Sequence, residues 1–278
     1  MSRRHVTIQR DGHIVELVLA NPPRHTINAQ GSQELYEELE LLSRDSSVRV
    51  IVLIGESGSV FVRHYEVGEL ADSSERVIQR GPQPRQSSST ASRPRSEGGL
   101  RGAMRLLESM PQITIAAING MAHGGGLELA LACDFRLARA GEFTLGLPET
   151  GVGILPGGGG TQRLARMVGV ARSLDLILHG TVLDVTTALD MGIVSRVLPN
   201  PLGEFHDAVK EFAQNLARRA PIALAKAKQA IREGVELPLT EGLHREAELF
   251  GQLMATEDAA RALRAVVDGK PIPPFSGK

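Results

Sequence analysis

The sequence predicts an α/β core followed by a mainly helical C-terminal region. Short β-branched runs alternate with glycine-rich turns and helical segments over roughly the first 200 residues, an order typical of α/β packing. From Thr161 onward nearly all apolar residues recur at helical spacing. We therefore place a boundary near residue 200, with the core over 1–200 and the helical region over 201–278.

The first predicted elements are a hairpin and a helix. Val6–Arg10 and Ile14–Leu19 are β-favouring runs separated by Asp11-Gly12, a strong hairpin signal. Residues 32–44 carry leucines at helical spacing, and Ser32 is available as the N-cap. Further strands are predicted at 48–54, 113–118, 135–138 and 143–145, and further helices at 99–109 and 127–133.

Residues 71–101 differ in composition from the rest of the chain. They contain seven serines and six arginines but only three acidic residues, and apolar periodicity fades after Ile78. This composition favours a solvated, flexible loop. A second interpretation is a flap over a site that contacts an anionic ligand.

The C-terminal region is predicted to form long amphipathic helices. They cover 203–219, 221–233 and 239–265, with breaks at Pro221 and at Gly234–Pro238. A helical region with so many apolar positions indicates a subunit interface rather than a free domain.

Composition excludes several classes of protein. Among the 278 residues, 31 are Lys or Arg and 32 are Asp or Glu, so the formal charge of −1 argues against dedicated nucleic-acid binding. The single cysteine, Cys133, excludes an internal disulfide framework and a cysteine-based zinc site. No apolar run reaches the roughly 18 residues of a membrane span, and no secretory signal is visible, so we expect a cytoplasmic protein without a membrane partner.

A glycine-rich turn carries the first chemical signal. A predicted buried strand runs into Gly124–Gly126, which open a helix. Glycines let backbone N–H groups approach a ligand, and a helix N-terminus adds positive potential, so this turn suits a developing oxyanion. Glu128 follows in an otherwise apolar helix, where a carboxylate is paired, exposed or functional, because burying it alone is unfavourable.

A second acid, Glu149, follows Pro148 and precedes the glycine-rich stretch 151–160. Taken alone, it is typical of a surface loop. If Glu128 and Glu149 share a site, however, their mutual repulsion raises one pKa, so that one can act as acid and the other as base.

These segments resemble the crotonase (enoyl-CoA hydratase/isomerase) superfamily. The resemblance runs from the first hairpin to the helical tail and is most specific over 115–134 and 143–163. Within the second stretch, Pro148-Glu149 is followed by Gly153-x-x-Pro-Gly157 and by Gly-Gly-Thr-Gln-Arg163. The resemblance implies a crotonase-like spiral of ββα units with a C-terminal helical trimerisation region, assembled as homotrimers or dimers of trimers (hexamers).

The resemblance also implies an activity and its residues. Family members bind acyl-CoA and polarise the thioester carbonyl with two backbone N–H groups, which correspond here to Tyr65 and Gly125. The hydratase glutamates correspond to Glu128, which activates water, and Glu149, which protonates Cα, while Gly157 positions the water. Because both acids are present, the resemblance implies an enoyl-CoA hydratase-like lyase of fatty acid metabolism. Coenzyme A enters with the substrate, and we expect no other cofactor and no metal.

One segment departs from the family pattern. The family sequence Phe-x-Ala-Gly-Ala-Asp-Leu aligns with 61–67, so His64 replaces a glycine. Because His tolerates positive φ poorly, a different loop path and a bulkier, more basic pocket entrance are expected. His64 is either a structural histidine or an added group that contacts substrate, and Arg24 is either a surface arginine or a contact for CoA phosphates.

Two alternatives stay open. One is another crotonase reaction, isomerisation or acyl-CoA hydrolysis, with His64 recruited. The other is a non-catalytic scaffold or RNA-associated protein, supported only by the arginine excess of 71–101. It ranks last, because a scaffold has no need for both glutamates.

Overall fold

The computed structural model describes residues 5–81 and 98–278. Its strands belong to two sheets, of six and four strands. The strands are β1 Val6–Asp11, β2 Ile14–Leu19, β3 Val50–Gly55, β4 Val60–Val62, β5 Ile113–Ile118, β6 Met121–His123, β7 Phe135–Arg139, β8 Thr144–Gly146, β9 Val182–Asp184 and β10 Arg196–Leu198.

Helices surround the sheets and make up most of the C-terminal part. A short 3-10 helix, Glu149–Val152, lies between β8 and α5. The α-helices are α1 Ala29–Ser43, α2 Val67–Arg80, α3 Gly99–Ser109, α4 Gly125–Ala132, α5 Gly160–Val168, α6 Val170–His179, α7 Val185–Asp190, α8 Leu202–Ala217, α9 Pro221–Gly234, α10 Leu239–Met254 and α11 Glu257–Val267.

From β3 to β8, successive strands alternate between the two sheets. The larger sheet has the order β1-β2-β3-β5-β7-β10, and the smaller sheet β4-β6-β8-β9. The pairs β3/β4, β5/β6 and β7/β8 each place one strand in each sheet, and helices follow each pair. Strands β3, β5 and β7 run parallel to their neighbours in the larger sheet, whereas β1 pairs antiparallel with β2. This arrangement confirms the predicted spiral of ββα units.

Both faces of the larger sheet are covered by helices. Ile51 and Leu53 of β3 pack in one apolar cluster with residues of α1 and α3. The alternate residues of β3, Val50 and Val52, pack on the other face with Phe205 of α8. Because β3 is buried on both faces, it is apolar throughout, as parallel strands under two helical layers usually are.

Three local predictions are corrected by the structure. The N-cap of α1 is Asn28, whose Oδ1 accepts a hydrogen bond from Gly31 N, and Ser32 lies buried inside the helix. The flexible loop predicted for 71–101 is wrong for residues 71–80, which are helical in α2, while 82–97 lie outside the described residues. The single helix predicted over 239–265 is two, because Thr256 caps α11.

The last two helices leave many apolar side chains exposed. They are Leu239, Leu243, Phe250 and Met254 of α10 and Leu263, Val266 and Val267 of α11. Over residues 5–81 and 98–278, no helix is both long and apolar enough to cross a membrane.

Candidate active site

Glu128 projects from the first turn of a helix that is buried on all sides. Strand β6 ends at His123, and Gly124 takes a φ of +48°, a conformation that favours glycine, before α4 begins at Gly125. Every residue of α4 is buried, and Glu128 is 3% exposed. A carboxylate with so little exposure needs partners from elsewhere in the chain.

The glycine run 157–160 provides those partners. The N–H groups of Gly158 and Gly160 both donate to Glu128 Oε1, each at 2.7 Å. A Cβ on Gly158 would lie 2.7 Å from Glu128 Oε2, and one on Gly160 would lie 3.0 Å from Oε1. Side chains at these two positions would therefore push the carboxylate away from its donors.

Opposing effects act on the pKa of Glu128. Burial raises its pKa, and the hydrogen bonds from Gly160 and Gly158 oppose that rise. The positive charges of Arg163 and Arg101 oppose it as well. The ionised form is thus stabilised by two backbone donors and two arginines.

Glu149, the first residue of the 3-10 helix, approaches the turn at Gly124. Its Oε1 lies 2.9 Å from the position that a Cβ on Gly124 would occupy. Its Oε2 is buried and has no hydrogen-bond partner among residues 5–81 and 98–278. Burial raises the pKa of Glu149 to about 7, and the charge of Glu128 contributes to the rise. The two acids predicted from the sequence therefore lie close enough to interact.

Two backbone N–H groups lie beside these acids. A Cβ on Gly125 would be 3.3 Å from the backbone N of Tyr65, so the two amides are neighbours. Ile27 holds the Tyr65 segment by donating to His64 O at 2.9 Å and accepting from Glu66 N at 2.8 Å. In the described part of the chain, neither the Tyr65 N–H nor the Gly125 N–H donates to a protein acceptor.

His64 lies at the edge of this turn without backbone strain. Among the described residues, only His25 is a non-glycine with positive φ, so His64 does not adopt the left-handed conformation. The different loop path expected at His64 stays a prediction. Nδ1 of His64 lies 2.7 Å from Tyr65 O, and its Cβ lies 3.8 Å from where a Cβ on Gly124 would be. The histidine therefore fits the loop that presents the Tyr65 N–H.

Gly157 and Arg24 each contact a side chain of the candidate site's surroundings. The carbonyl oxygen of Gly157 accepts a hydrogen bond from Arg101 Nε at 2.9 Å. Arg24 is mostly exposed, and its Nη1 lies 2.8 Å from Glu66 Oε1. Glu66 directly follows Tyr65, so Arg24 borders the segment that carries one of the two free N–H groups.

Comparison with known proteins assigns the chain to a family. The sequence profile of the enoyl-CoA hydratase/isomerase family matches residues 9–277. The chain belongs to the enoyl-CoA hydratase/isomerase family.

Several relatives match this chain along most of their length. A probable mitochondrial enoyl-CoA hydratase 2 of Arabidopsis thaliana is 35% identical over 260 residues, covering 93% of this chain and 80% of the relative. The short-chain-enoyl-CoA hydratase of Clostridium acetobutylicum is 30% identical over 284 residues, with both chains fully covered. The crystal structure of an enoyl-CoA hydratase from Bacillus anthracis matches with a TM-score of 0.85 and 30% identity, covering 99% of this chain and all of that one.

A mitochondrial relative also bears on location. The mitochondrial methylglutaconyl-CoA hydratase of Homo sapiens is 34% identical over 279 residues, covering 99% of this chain and 77% of the relative. Because family members include proteins named as mitochondrial, the cytoplasmic location expected from the sequence stays a prediction.

Three side chains around the glycine run 157–160 were not singled out from the sequence. Arg101 donates to Gly157, and Arg163 donates to Gly158 O at 2.8 Å while pairing with Glu108. Arg163 is the last residue of the family signature Gly-Gly-Thr-Gln-Arg. The signature supported the resemblance but indicated no role for Arg163. Arg101 and Glu108 carry no local signal, since their partners lie 56 and 55 residues away along the chain.

Proposed function

We propose that this chain adds water across the double bond of a 2-enoyl-CoA thioester. The observation that carries the proposal is the pairing of Glu128, held by two backbone N–H donors, with Glu149, whose pKa is raised to about 7 by burial and by Glu128. The family match and the relatives named as enoyl-CoA hydratases support the same reaction.

The Tyr65 and Gly125 N–H groups would form the oxyanion hole. Both amides lack protein acceptors in the described part of the chain and lie side by side, which suits them to receive one thioester oxygen. As negative charge moves onto that oxygen, each donor is worth about 3 kcal/mol of transition-state stabilisation. The Gly125 donor adds the positive end of α4, since it begins that helix.

The two glutamates would divide the proton transfers. Ionised Glu128 takes a proton from water as the water oxygen bonds to Cβ, and the electron pair of the double bond moves onto the thioester oxygen. Glu149 then gives its proton to Cα while the oxyanion returns its charge to the carbonyl. Glu128 ends protonated and Glu149 ionised, so proton exchange through water restores the starting state. Gly157, next to the donors of Glu128, would position the attacking water.

The assembly we propose is a homotrimer, or a dimer of trimers. The exposed apolar side chains of α10 and α11 support this, because so many on two adjacent helices are typical of a subunit interface. Native mass spectrometry tests the proposal, and a monomer as the dominant species at micromolar concentration would refute it.

Hydration is tested by mixing the protein with crotonyl-CoA and following the loss of conjugated-thioester absorbance together with product mass. We expect a gain of one water, and losses of several orders of magnitude in Glu128→Gln and Glu149→Gln. Glu142→Gln is the matched control, because Glu142 is an exposed acid just before β8.

Other outcomes identify the alternatives. A shifted double bond at unchanged mass would indicate isomerisation, and release of free coenzyme A would indicate thioester hydrolysis. Binding of acyl-CoA without any product would favour a non-catalytic protein.

A further inference from the structure

Arg163 connects the turn that holds Glu128 to helix α3. Its Nε and Nη2 donate to the two carboxylate oxygens of Glu108, each at 2.7 Å. Its Nη1 donates to Gly158 O at 2.8 Å. The N–H of the same Gly158 donates to Glu128 Oε1 at 2.7 Å. Gly158 is therefore held by Arg163 at its carbonyl while its amide holds Glu128.

The glycine run has room for this guanidinium. Gly159 takes a φ of +108°, and a Cβ there would collide with Nη1 of Arg163. The Arg163 and Glu108 side chains are only 17% and 28% exposed. A bidentate Arg–carboxylate pair with so little exposure fixes orientation far better than a single surface contact.

The connection continues to the C-terminal helical region. Arg232 of α9 has Nη1 3.6 Å from Glu108 Oε1 and Nη2 2.8 Å from Asp134 Oδ1. Lys228, one turn earlier on α9, lies 2.8 Å from Asp134 Oδ2 and is buried. These ion pairs border a cavity of 1360 Å³ that Arg163 and Glu108 line together with α9. The chain of contacts therefore runs from α9 to the Gly158 peptide.

We propose that Arg163 is a positioning residue for Glu128, acting through the Gly158 peptide and anchored by Glu108. The inference rests on the proposed hydration, in which Glu128 activates water. With Arg163 in place, the Gly158 N–H stays aimed at the carboxylate. Without it, the 157–160 turn is free to rotate, and Glu128 loses the fixed direction in which it must receive the proton.

The test compares Arg163→Gln with a matched control on the same helix. Arg166 of α5 also pairs with a glutamate, Glu236, at 2.8 Å, and donates to Gln162 rather than to residues 157–160. We expect Arg163→Gln to lower kcat for crotonyl-CoA by about 10- to 100-fold, as for a displaced catalytic group, with KM nearly unchanged. Arg166→Gln should keep both values.

The pH profile separates positioning from loss of folding. Glu128 is faced by Arg163, Arg101 and Glu149. Arg163→Gln removes a positive charge near Glu128 and the hold on the Gly158 N–H, so the pKa of Glu128 should rise. The acid limb of kcat/KM should therefore move to higher pH. Arg163→Lys keeps the charge but cannot form the planar fork, so it should restore the acid limb more fully than kcat.

Hydrogen exchange tests the positioning without any activity. Peptides covering 156–162 should exchange faster in Arg163→Gln and in Glu108→Gln than in wild type and Arg166→Gln. If wild type hydrates no enoyl-CoA, the proposed function fails, yet faster exchange would still support the bracing of the turn. The inference would be overturned if Arg163→Gln and Glu108→Gln both behaved like Arg166→Gln in hydrogen exchange, in kcat and in pH profile. If Arg163→Gln does not fold, Glu108→Gln and Arg163→Lys decide the question.

Discussion

Glu128 and Glu149 lie close enough for the charge of one to raise the pKa of the other, but their carboxyl groups are held in opposite ways. Glu128 Oε1 accepts two N–H groups at 2.7 Å, whereas Glu149 Oε2 is buried with no hydrogen-bond partner among the described residues. Donors favour a carboxylate, and burial without donors favours a neutral acid. Burial raises the pKa of both carboxyl groups, to about 7 for Glu149, and the donors and arginines around Glu128 oppose the rise there.

The first prediction concerns the pH dependence of Glu149. Burial raises its pKa to about 7, with a contribution from Glu128, so the carboxyl is protonated below that pH and loses its proton above it. If Glu149 supplies the proton to Cα, kcat/KM for crotonyl-CoA should fall above about pH 7. Glu149→Gln should lower the rate by about 10²- to 10⁴-fold and remove that basic limb.

The control for this profile is Glu142→Gln, which should keep the basic limb because Glu142 is exposed. A basic limb near pH 7 that persists in Glu149→Gln would assign the titration to another group.

The second prediction concerns the Tyr65 backbone. Tyr65→Pro removes an N–H that no protein acceptor uses in the described part of the chain, and an oxyanion donor is worth about 10²- to 10³-fold in kcat. Tyr65→Phe and Tyr65→Ala keep the N–H and should retain most of kcat. Burial and Glu69 raise the pKa of the Tyr65 hydroxyl to about 12, so the side chain is neutral in the wild type at the pH of the assay.

Calorimetric binding of a non-reactive acyl-CoA checks that Tyr65→Pro is folded. Equal kcat in Tyr65→Pro and Tyr65→Ala would remove the Tyr65 N–H from the oxyanion hole.

The fold was predictable from the sequence where burial leaves a local pattern. Strands β2 and β5 have the predicted bounds because they are β-branched or apolar, apart from Glu16 of β2, and end near turn residues. Helix α2 was missed because none of its side chains is buried and its serines and arginines are typical of loops. Its apolar residues Val67, Leu70, Val77 and Ile78 recur at helical spacing but remain exposed.

The site was predictable only where its chemistry is local. The glycines before α4 mark Glu128, and Pro148 marks Glu149, so both acids could be singled out from short segments. Arg163 and Glu108 meet across 55 residues, and such pairing leaves no periodic signal in one sequence. The φ of His64 is not positive, a backbone detail that the sequence of 61–67 does not reveal.

The third prediction concerns His64. Although its Nδ1 contacts Tyr65 O, the backbone hydrogen bonds of Ile27 with His64 O and Glu66 N hold the Tyr65 segment without the imidazole. His64→Ala should therefore keep kcat/KM for hydration close to that of wild type, with the same product by mass and chromatography. A changed ratio of hydrated to isomerised product would instead make His64 part of the chemistry.

The fourth prediction uses two glycines near the site. In Gly158→Ala the new Cβ would lie 2.7 Å from Glu128 Oε2 and 3.2 Å from Met104 Cε, so the carboxylate must move. We expect kcat to fall by about 100-fold and stability to fall by about 1–3 kcal/mol, as in overpacked cores. Gly151→Ala lies in the 3-10 helix of Glu149, where a Cβ meets nothing within 4 Å, and should leave kcat and Tm unchanged. Because the two variants add the same methyl group, a large difference in kcat would trace the loss to Glu128. Equal kcat values would mean that Glu128 tolerates displacement and is not the group that activates water.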